Sequence, residues 1–315
     1  MKAAVVFDPA NGPVYSDFAL PVAGEKQQLI KISASAISHV VKSRASGKHY
    51  SFDGTLPFIA GIDGTGVTPE GKRVYFVFPP TPWGSMAQFA PVDIAHCLPL
   101  PDGLDDATAA AMANPGMSAW AALVNRAGFN AGETVLINGA TGSAGQLAVQ
   151  IARYLGAKKI IATGRNAEAL ASLGADATVL LTEEDDLQNA AFAAYASEQI
   201  DVVVDYLWGN SAERLLYALA KHTPGRAPVR YVQVGSLAGQ EITLPGAVLR
   251  SSPIQLMGSG IGSLSLHQLV QATGEMLQAA VAGKFTIAHK TVPLADVAQA
   301  WPLDNSQNRT VFLIQ

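Results

Sequence analysis

The stretch ETVLINGATGSAGQLAVQIARYLG, residues 133–156, decides the fold. Its apolar run 134–138 has the composition of a buried strand, and a loop with glycines at 139, 142 and 145 follows. Beyond the loop, apolar side chains recur at helical spacing as far as Gly156, which suits a helix C-terminus. A strand, a glycine-rich turn and a helix in this order form the context of a dinucleotide-binding fingerprint.

The chain beyond this stretch alternates between short apolar runs and helical patterns. The runs are rich in Val and Ile and alternate little, which is typical of strands buried on both faces of a parallel sheet. We therefore predict an α/β fold with a Rossmann-type, doubly wound parallel sheet. The further predicted strands are KIIAT (159–163), ATVLL (177–181), DVVVD (201–205), YVQVG (231–235) and IQLMG (254–258).

Residues 1–115 have a different pattern, with many Gly and Pro residues and short β-like runs such as QLIKISA and KRVYFVF. This pattern predicts a second domain, mostly β and antiparallel or barrel-like. From about residue 264 a helical segment leads to a last predicted strand, TVFLI.

The composition excludes several classes of function. The 315 residues are 49% apolar and 15% charged, with a net charge of −4 and no run of basic residues, so we expect no nucleic-acid partner. No stretch approaches the ~18 apolar residues that span a membrane, and Asp8 follows too soon for a secretory signal. Cys97 is the one cysteine, so no intramolecular disulfide is possible. A cytoplasmic protein without a membrane partner is the expectation.

The glycine loop is the predicted phosphate-binding element. A helix N-terminus carries unpaired N–H groups and a partial positive charge, so a pyrophosphate is stabilised there. Gly142 lets the backbone approach the phosphates, Gly145 lets the helix pack on the strand, and Ala140 replaces the first glycine of the fingerprint. The loop residues assigned to cofactor binding are Asn138, Gly139, Ala140, Thr141, Gly142, Ser143, Ala144 and Gly145.

The end of the second strand, IIATGRN, decides between the two nicotinamide cofactors. An NAD enzyme usually has an acidic residue about 20 residues after the loop, whereas an arginine there suits the 2′-phosphate of NADP. Here Gly164 leaves room, Arg165 is a bidentate donor, and Asn166 follows. We predict NADP(H); the alternative is that Arg165 is an ordinary solvated surface charge.

Three other strand ends are candidates for the nicotinamide half of the cofactor. In open α/β sheets the ligand lies outside the carboxyl ends of the strands. On this basis Tyr206, Gly235, Ser236 and Gly258 are assigned to cofactor binding.

The chain resembles the medium-chain dehydrogenase/reductase superfamily along most of its length. The resemblance implies a GroES-like substrate domain at 1–115, completed by about 264–315, a Rossmann domain at 116–263, and an active site in the cleft between them. It also makes Arg309, before the last strand, a candidate for cofactor contact. The segments that carry it, besides the glycine loop, are RASGKHY (44–50), PFIAGIDGTGV (57–67), GKRVYFV (71–77), WGSMAQFAPV (83–92) and NPGMSAWAAL (114–123).

The resemblance points to the zinc-free quinone oxidoreductase branch of that superfamily. Ser38, Ile62 and Asn114 stand where the zinc-binding members have Cys, His and Cys, and none of them is a good zinc ligand. We therefore expect no bound metal. Without zinc, the suitable acceptors are those that take hydride readily, namely quinones and α,β-unsaturated carbonyls.

Tyr50 and Ser38 are the residues assigned to catalysis. Tyr50 matches a tyrosine that the family often has beside the nicotinamide, and its phenol is a potential proton donor; the alternative is a packing role. Ser38 replaces the asparagine usual in quinone reductases.

These features predict an NADPH-dependent reductase of a small electrophilic substrate, either a quinone or an α,β-unsaturated carbonyl. Two alternatives remain open: an enoyl-thioester reductase, and a redox sensor that binds NADPH without turnover. The run IQLMG would form an apolar sheet edge, which favours a homodimer.

Overall fold

The computed structural model describes residues 1–49, 52–182, 185–223, 228–305 and 308–315. The strands are β1 (Lys2–Val6), β2 (Val14–Asp17), β3 (Gln27–Ala36), β4 (Phe58–Ile59), β5 (Asp63–Val67), β6 (Arg73–Val77), β7 (Phe89–Asp93), β8 (Cys97–Pro99), β9 (Thr134–Asn138), β10 (Lys159–Gly164), β11 (Ala177–Leu180), β12 (Val202–Asp205), β13 (Val229–Gln233), β14 (Ile254–Gly258), β15 (His289–Pro293) and β16 (Arg309–Leu313).

The helices follow the same order. They are α1 (His39–Ala45), α2 (Asp106–Trp120), α3 (Ser143–Tyr154), α4 (Ala167–Ala171), α5 (Asp185–Ser197), α6 (Gly209–His222), α7 (Gly246–Arg250), α8 (Leu266–Ala282) and α9 (Val297–Ala300). A π-helical segment, Ala121–Arg126, continues α2. Among the described residues no helix is long and apolar enough to cross a membrane.

The chain divides into two compact units, and the second, Pro115–Ala272, contains a parallel sheet. Its six strands are ordered β11-β10-β9-β12-β13-β14, and every neighbouring pair is parallel. The central strand β9 buries Val135, Leu136 and Ile137 completely, as expected for a strand covered on both faces. The predicted doubly wound fold is confirmed.

The first unit joins Met1–Asn114 to Thr273–Gln315. Strand β16 pairs antiparallel with β3, so the C-terminal segment is part of the same sheet as the N-terminal strands. That sheet runs β15-β16-β3-β5-β6-β8, with β7 also paired to β3, and β2-β1-β4 form a smaller sheet. The unit is thus mostly β, as predicted, and its later boundary lies within α8 rather than at about 264.

A buried polar network ties together the carboxyl ends of three strands in the second unit. The Asn138 Nδ2 donates to Asp205 Oδ1 at 2.8 Å, while the Thr163 hydroxyl donates to Asn138 Oδ1 at 2.6 Å. The Ser211 hydroxyl donates to the same Asn138 oxygen at 3.0 Å, and Tyr231 donates to Asp205 Oδ2 at 2.8 Å. The network therefore fixes the positions at which the loops after β9, β10 and β12 begin.

Replacing Asn138 by Ala should lower the free energy of unfolding by about 2–3 kcal/mol, because buried partners lose their hydrogen bonds. Urea titration measures the change, and Asn210→Ala is the matched control. Asn210 is exposed on α6, so its removal should cost less than about 0.5 kcal/mol. Equal losses in the two variants would show that the network does not stabilise the fold.

Candidate functional site

The glycine loop lies between β9 and α3, where β10 holds it in place. The Gly139 N–H donates to the Thr163 hydroxyl at 3.1 Å, and the Ala140 N–H donates to the Thr163 carbonyl at 2.7 Å. Gly139 has a φ of +89°, and a Cβ there would approach Leu207 Cδ2 to 2.9 Å. Glycine is thus required at the first turn of the loop, both for its backbone and for space.

Two other glycines of the loop have opposite surroundings. A Cβ on Gly145 would lie 2.4 Å from the Gly139 carbonyl oxygen and 2.5 Å from Ala140 Cα, so the helix packs directly against the backbone of the first turn of the loop. A Cβ on Gly142 would meet nothing within 4 Å. Gly145 therefore serves packing, whereas Gly142 leaves open space in front of the helix.

That open space faces the N-terminus of a 12-residue helix. Gly142 is the N-cap of α3, and no side chain caps this helix end in the described chain. A helix end of this kind stabilises an anion through its N–H groups and its dipole. The loop thus fits the pyrophosphate of a dinucleotide, which the backbone of residues 142–145 would hold.

The end of β10 adjoins the same loop. Gly164 is buried, and a Cβ there would come within 2.6 Å of Thr141 Cγ2, so the glycine allows the strand and the loop to pack together. Arg165 is exposed, while the Asn166 side chain caps α4 by accepting from the Ala169 N–H at 2.9 Å. Arg165 and Asn166 are both exposed, and of the two Arg165 has the charged side chain that suits a phosphate.

The other assigned residues of the second unit occupy the ends of β12, β13 and β14, at the same edge of the sheet. A Cβ on Gly235 would lie 2.7 Å from the carbonyl oxygen of Tyr206, so the two loops approach closely there. Tyr206 is itself buried, and burial raises the pKa of its phenol. The Ser236 hydroxyl donates to Gln240 Oε1 at 3.3 Å.

Sequence reasoning missed Arg126, which organises the end of β14. This arginine ends the π-helical segment, and its Nε donates to the Gly258 carbonyl at 2.7 Å. Its Nη1 donates to the Ser263 carbonyl at 3.4 Å. No local sequence pattern predicts that an arginine will bond a glycine 132 positions later. This contact could therefore be found only in the structure.

In the first unit, Ser38 and Arg309 are brought close to each other. The Ser38 oxygen caps α1 by accepting from the Val41 N–H at 3.2 Å. Arg309 is 6% exposed, and its Nη2 donates to the carbonyl of Ile37 at 2.7 Å, whereas its Nε has no partner among the described residues. Tyr50 lies outside the described residues. The catalytic roles of Ser38 and Tyr50 stay predictions.

A buried carboxyl group accompanies Arg309. Burial raises the pKa of Asp63 to about 6, although Tyr75 donates a hydrogen bond of 2.7 Å to it and the positive charge of Arg309 opposes the shift. Burial in turn lowers the pKa of Arg309, which Asp63 partly offsets. The guanidinium is thus compensated by a carboxyl group within its own unit, and its assignment to the cofactor stays a prediction.

Comparison with known proteins assigns the chain to a family. It is 30% identical to the probable NADPH-dependent quinone reductase tdiC of Emericella nidulans, over 96% of each chain. The chain belongs to the quinone reductase branch of the medium-chain dehydrogenase/reductase superfamily. Within this superfamily it also resembles the chloroplastic NADPH-dependent alkenal/one oxidoreductase of Arabidopsis thaliana, at 32% identity over 59% of this chain and 53% of that protein.

Solved structures of the superfamily have the same fold. The quinone oxidoreductase of Thermus thermophilus, also solved in complex with NADPH, superposes with a TM-score of 0.81 at 25% identity, over 99% of this chain and all of that one (100%). The family model described as zinc-binding dehydrogenase matches residues 144–279, which contain none of the positions Ser38, Ile62 and Asn114. The described residues contain no cluster of three or more His, Cys, Asp or Glu side chains suited to a metal ion.

The two helix-start glycines provide a matched pair of variants. Gly142→Ala should leave the free energy of unfolding within about 0.5 kcal/mol of wild type, because the methyl group enters open space and the φ of −80° suits alanine. It should nevertheless weaken NADPH binding about tenfold or more, because the methyl group occupies the space for the phosphates. Fluorescence titration with NADPH measures this affinity.

Gly145→Ala is the control for the stability measurement. It should lower the free energy of unfolding by about 1–3 kcal/mol, because its Cβ clashes with backbone atoms. A Gly142→Ala protein with wild-type affinity for NADPH would exclude the loop as the phosphate site.

Proposed function

We propose that this protein reduces quinones and α,β-unsaturated carbonyls with NADPH. The observation that carries the proposal is the uncapped N-terminus of α3, with open space at Gly142 and the exposed Arg165 at the neighbouring strand end. The names of the relatives support it, since they are NADPH-dependent quinone and alkenal/one oxidoreductases. When bound, NADPH would supply a hydride, and a hydride together with one proton converts a quinone into a hydroquinone.

Selection of NADPH over NADH rests on charge at the end of β10. An acidic residue at this position bonds the ribose 2′-hydroxyl in NAD enzymes and would repel a 2′-phosphate. Here the strand ends in Gly164, followed by Arg165 and Asn166, and the Asn166 side chain is engaged in capping α4. The guanidinium of Arg165 is the group that would bond the additional phosphate.

The reaction needs no metal in this proposal. Quinones and enones are already electrophilic, so the protein contributes alignment of the acceptor and exclusion of water. The phenol of Tyr50 or a water molecule would donate the proton, and the Ser38 hydroxyl retains its own hydrogen for donation while its oxygen caps α1. Turnover with a quinone would also distinguish this function from that of a redox sensor that binds NADPH without reaction.

Arg165→Ala should raise the dissociation constant of NADPH by about tenfold to a hundredfold, because charge-assisted hydrogen bonds contribute about 1.5–3 kcal/mol. The affinity for NADH should not change, since that cofactor lacks the 2′-phosphate. Titration with both cofactors tests this, and Lys221→Ala on the exposed side of α6 serves as the control. Loss of affinity for both cofactors alike would contradict the assigned contact.

We further propose a homodimer formed through β14. This strand is the last of the sheet, and Leu256 at its centre is 37% exposed, so backbone groups and an apolar side chain are available for pairing with a second copy. A cytoplasmic location is proposed as well, since the single Cys97 offers no intramolecular disulfide and a reducing compartment suits such a chain.

Leu256→Lys should shift the protein from dimer to monomer in sedimentation equilibrium, because a charge on the edge strand disfavours strand pairing. Leu187→Lys is the control, since Leu187 is 63% exposed on α5, away from β14 in the sheet order. A wild-type protein that sediments as a monomer, or dissociation in both variants, would refute the β14 interface.

A further inference from the structure

The turn that follows β14, residues 258–263 with the sequence GSGIGS, has glycine at three of its six positions. Gly262 has a φ of +102°, which favours glycine, whereas Gly258 and Gly260 have φ values outside the left-handed region. A Cβ at either of these two positions would meet no atom within 4 Å. Neither the backbone conformation nor the packing of the described chain therefore requires glycine at 258 and 260, and open space remains in front of the turn.

This open space lies at the same edge of the sheet as the phosphate loop. Gly142 has the same combination of an ordinary φ and open surroundings, and it follows β9, which β12 and β13 separate from β14. In open α/β sheets the ligand lies along the carboxyl ends of the strands. The turn after β14 is thus a second place where backbone can approach a bound dinucleotide, as the assignment of Gly258 to its nicotinamide half expects.

A turn so rich in glycine needs bonds to hold one conformation, because glycine has more backbone freedom than any other residue. The Ser263 N–H donates to the Gly260 carbonyl at 3.1 Å, and the Gly260 N–H donates to the Ser263 hydroxyl at 2.8 Å. These two bonds close the turn on itself. The Ser259 N–H donates to the Gln233 carbonyl at 2.8 Å, which ties the start of the turn to β13.

Arg126 bonds both ends of the turn with one guanidinium. Its Nε donates to the Gly258 carbonyl at 2.7 Å, and its Nη1 donates to the Ser263 carbonyl at the longer distance of 3.4 Å. The guanidinium is planar and rigid, so it fixes the direction of both donors at once. The half-buried Arg126 therefore holds the turn against the end of the helical segment 121–126.

The π-helical form of that segment sets the direction of the arginine. The Ala127 N–H donates at 2.9 Å to the carbonyl of Ala122, five residues earlier, where an α-helix would use the carbonyl four residues earlier. The wider turn gives the side chains near it a direction that a regular α-helix would not give them. Such π-turns are frequent at functional sites.

We propose that Arg126 is a positioning residue for hydride transfer, because it holds the turn 258–263 that orients the nicotinamide half of NADPH. The proposal rests on the proposed reductase function and on the assignment of Gly258 to the cofactor. Arg126 acts through the turn, while the phosphate loop and Arg165 provide most of the affinity for NADPH. Removal of Arg126 should therefore slow the reaction without releasing the cofactor, since hydride transfer is sensitive to small errors of alignment.

Arg126→Met tests the proposal, because it keeps an unbranched side chain and removes every donor. The rate of NADPH oxidation in a single turnover, with NADPH-saturated protein and saturating 2-methyl-1,4-naphthoquinone, should fall about tenfold or more. The dissociation constant of NADPH, from fluorescence titration, should stay within about threefold of wild type. The fluorescence anisotropy of bound NADPH should decay faster, because the dihydronicotinamide ring is held less firmly. Arg126→Lys, whose ammonium can donate to the Gly258 carbonyl, should recover part of the rate.

Arg230→Met is the matched control. Arg230 donates to the carbonyls of Ala127 and Gly128 at 2.9 and 3.2 Å and forms an ion pair with Glu133, but none of its hydrogen bonds in the described chain reaches the turn. This variant should unfold at a lower urea concentration and keep the wild-type rate and anisotropy decay.

An unchanged single-turnover rate in Arg126→Met, or equal falls in Arg126→Met and Arg230→Met, would overturn the proposal. So would weaker NADPH binding with an unchanged saturated rate, which would make Arg126 a binding residue. Loss of the dimer at an unchanged rate would instead assign the turn to the subunit interface. If the wild-type protein binds NADPH but reduces no quinone, the reductase function fails and the anisotropy decay decides about Arg126. A faster decay in Arg126→Met alone supports its positioning role, and a wild-type decay refutes it.

Discussion

The carboxylate of Asp205 is the group on which the arrangement of the candidate site depends. It lies at the end of β12 and accepts from the Asn138 amide, the Tyr231 hydroxyl and the N–H groups of Leu207 and Trp208. Burial raises the pKa of Asp205, and these hydrogen bonds favour the charged form against that effect. A buried carboxyl group can be retained here because each oxygen has partners, and those partners begin or support the loops of the site.

The glycine loop and the Asp205 network have different structural roles at this edge of the sheet. The network sets where the strands end, so the loop after β9 starts from a rigid position. The glycines then determine which space the loop leaves open, because Gly145 lets the helix pack on the first turn of the loop and Gly142 keeps the helix start open. A site of this kind would bind a phosphate mainly through backbone N–H groups at the helix start.

Local sequence patterns were sufficient to predict the fold and the position of the glycine loop. The apolar runs and the glycine spacing act over a few residues, so all six strands of the parallel sheet and the helix after the loop could be predicted. The hydrogen bonds of individual side chains could not be predicted in this way, because their partners lie far away in the sequence. Asn138 was assigned to the cofactor, yet its amide bonds Thr163, Asp205 and Ser211, which are 25, 67 and 73 residues away.

The same reason explains why the hydrogen-bond partners of two other assigned residues could not be predicted. The side chain of Asn166 caps a helix that begins with the next residue, and the guanidinium of Arg309 is buried against the carbonyl of Ile37, 272 residues earlier in the chain. A single residue letter does not reveal whether its polar group is already bonded inside the protein. The backbone conformation of Trp208 could not be predicted either, because tryptophan rarely adopts the positive φ that this residue has.

The pairing of β16 with β3 has a consequence for biosynthesis. Val311 and Phe312 of β16 are fully buried in a sheet whose other strands come mainly from the first hundred residues. The parallel-sheet unit, by contrast, is continuous from Pro115 to Ala272. During translation the residues of that unit are all synthesised before β16 is, so the N-terminal strands lack β16 as a neighbour until residues 309–313 have been added.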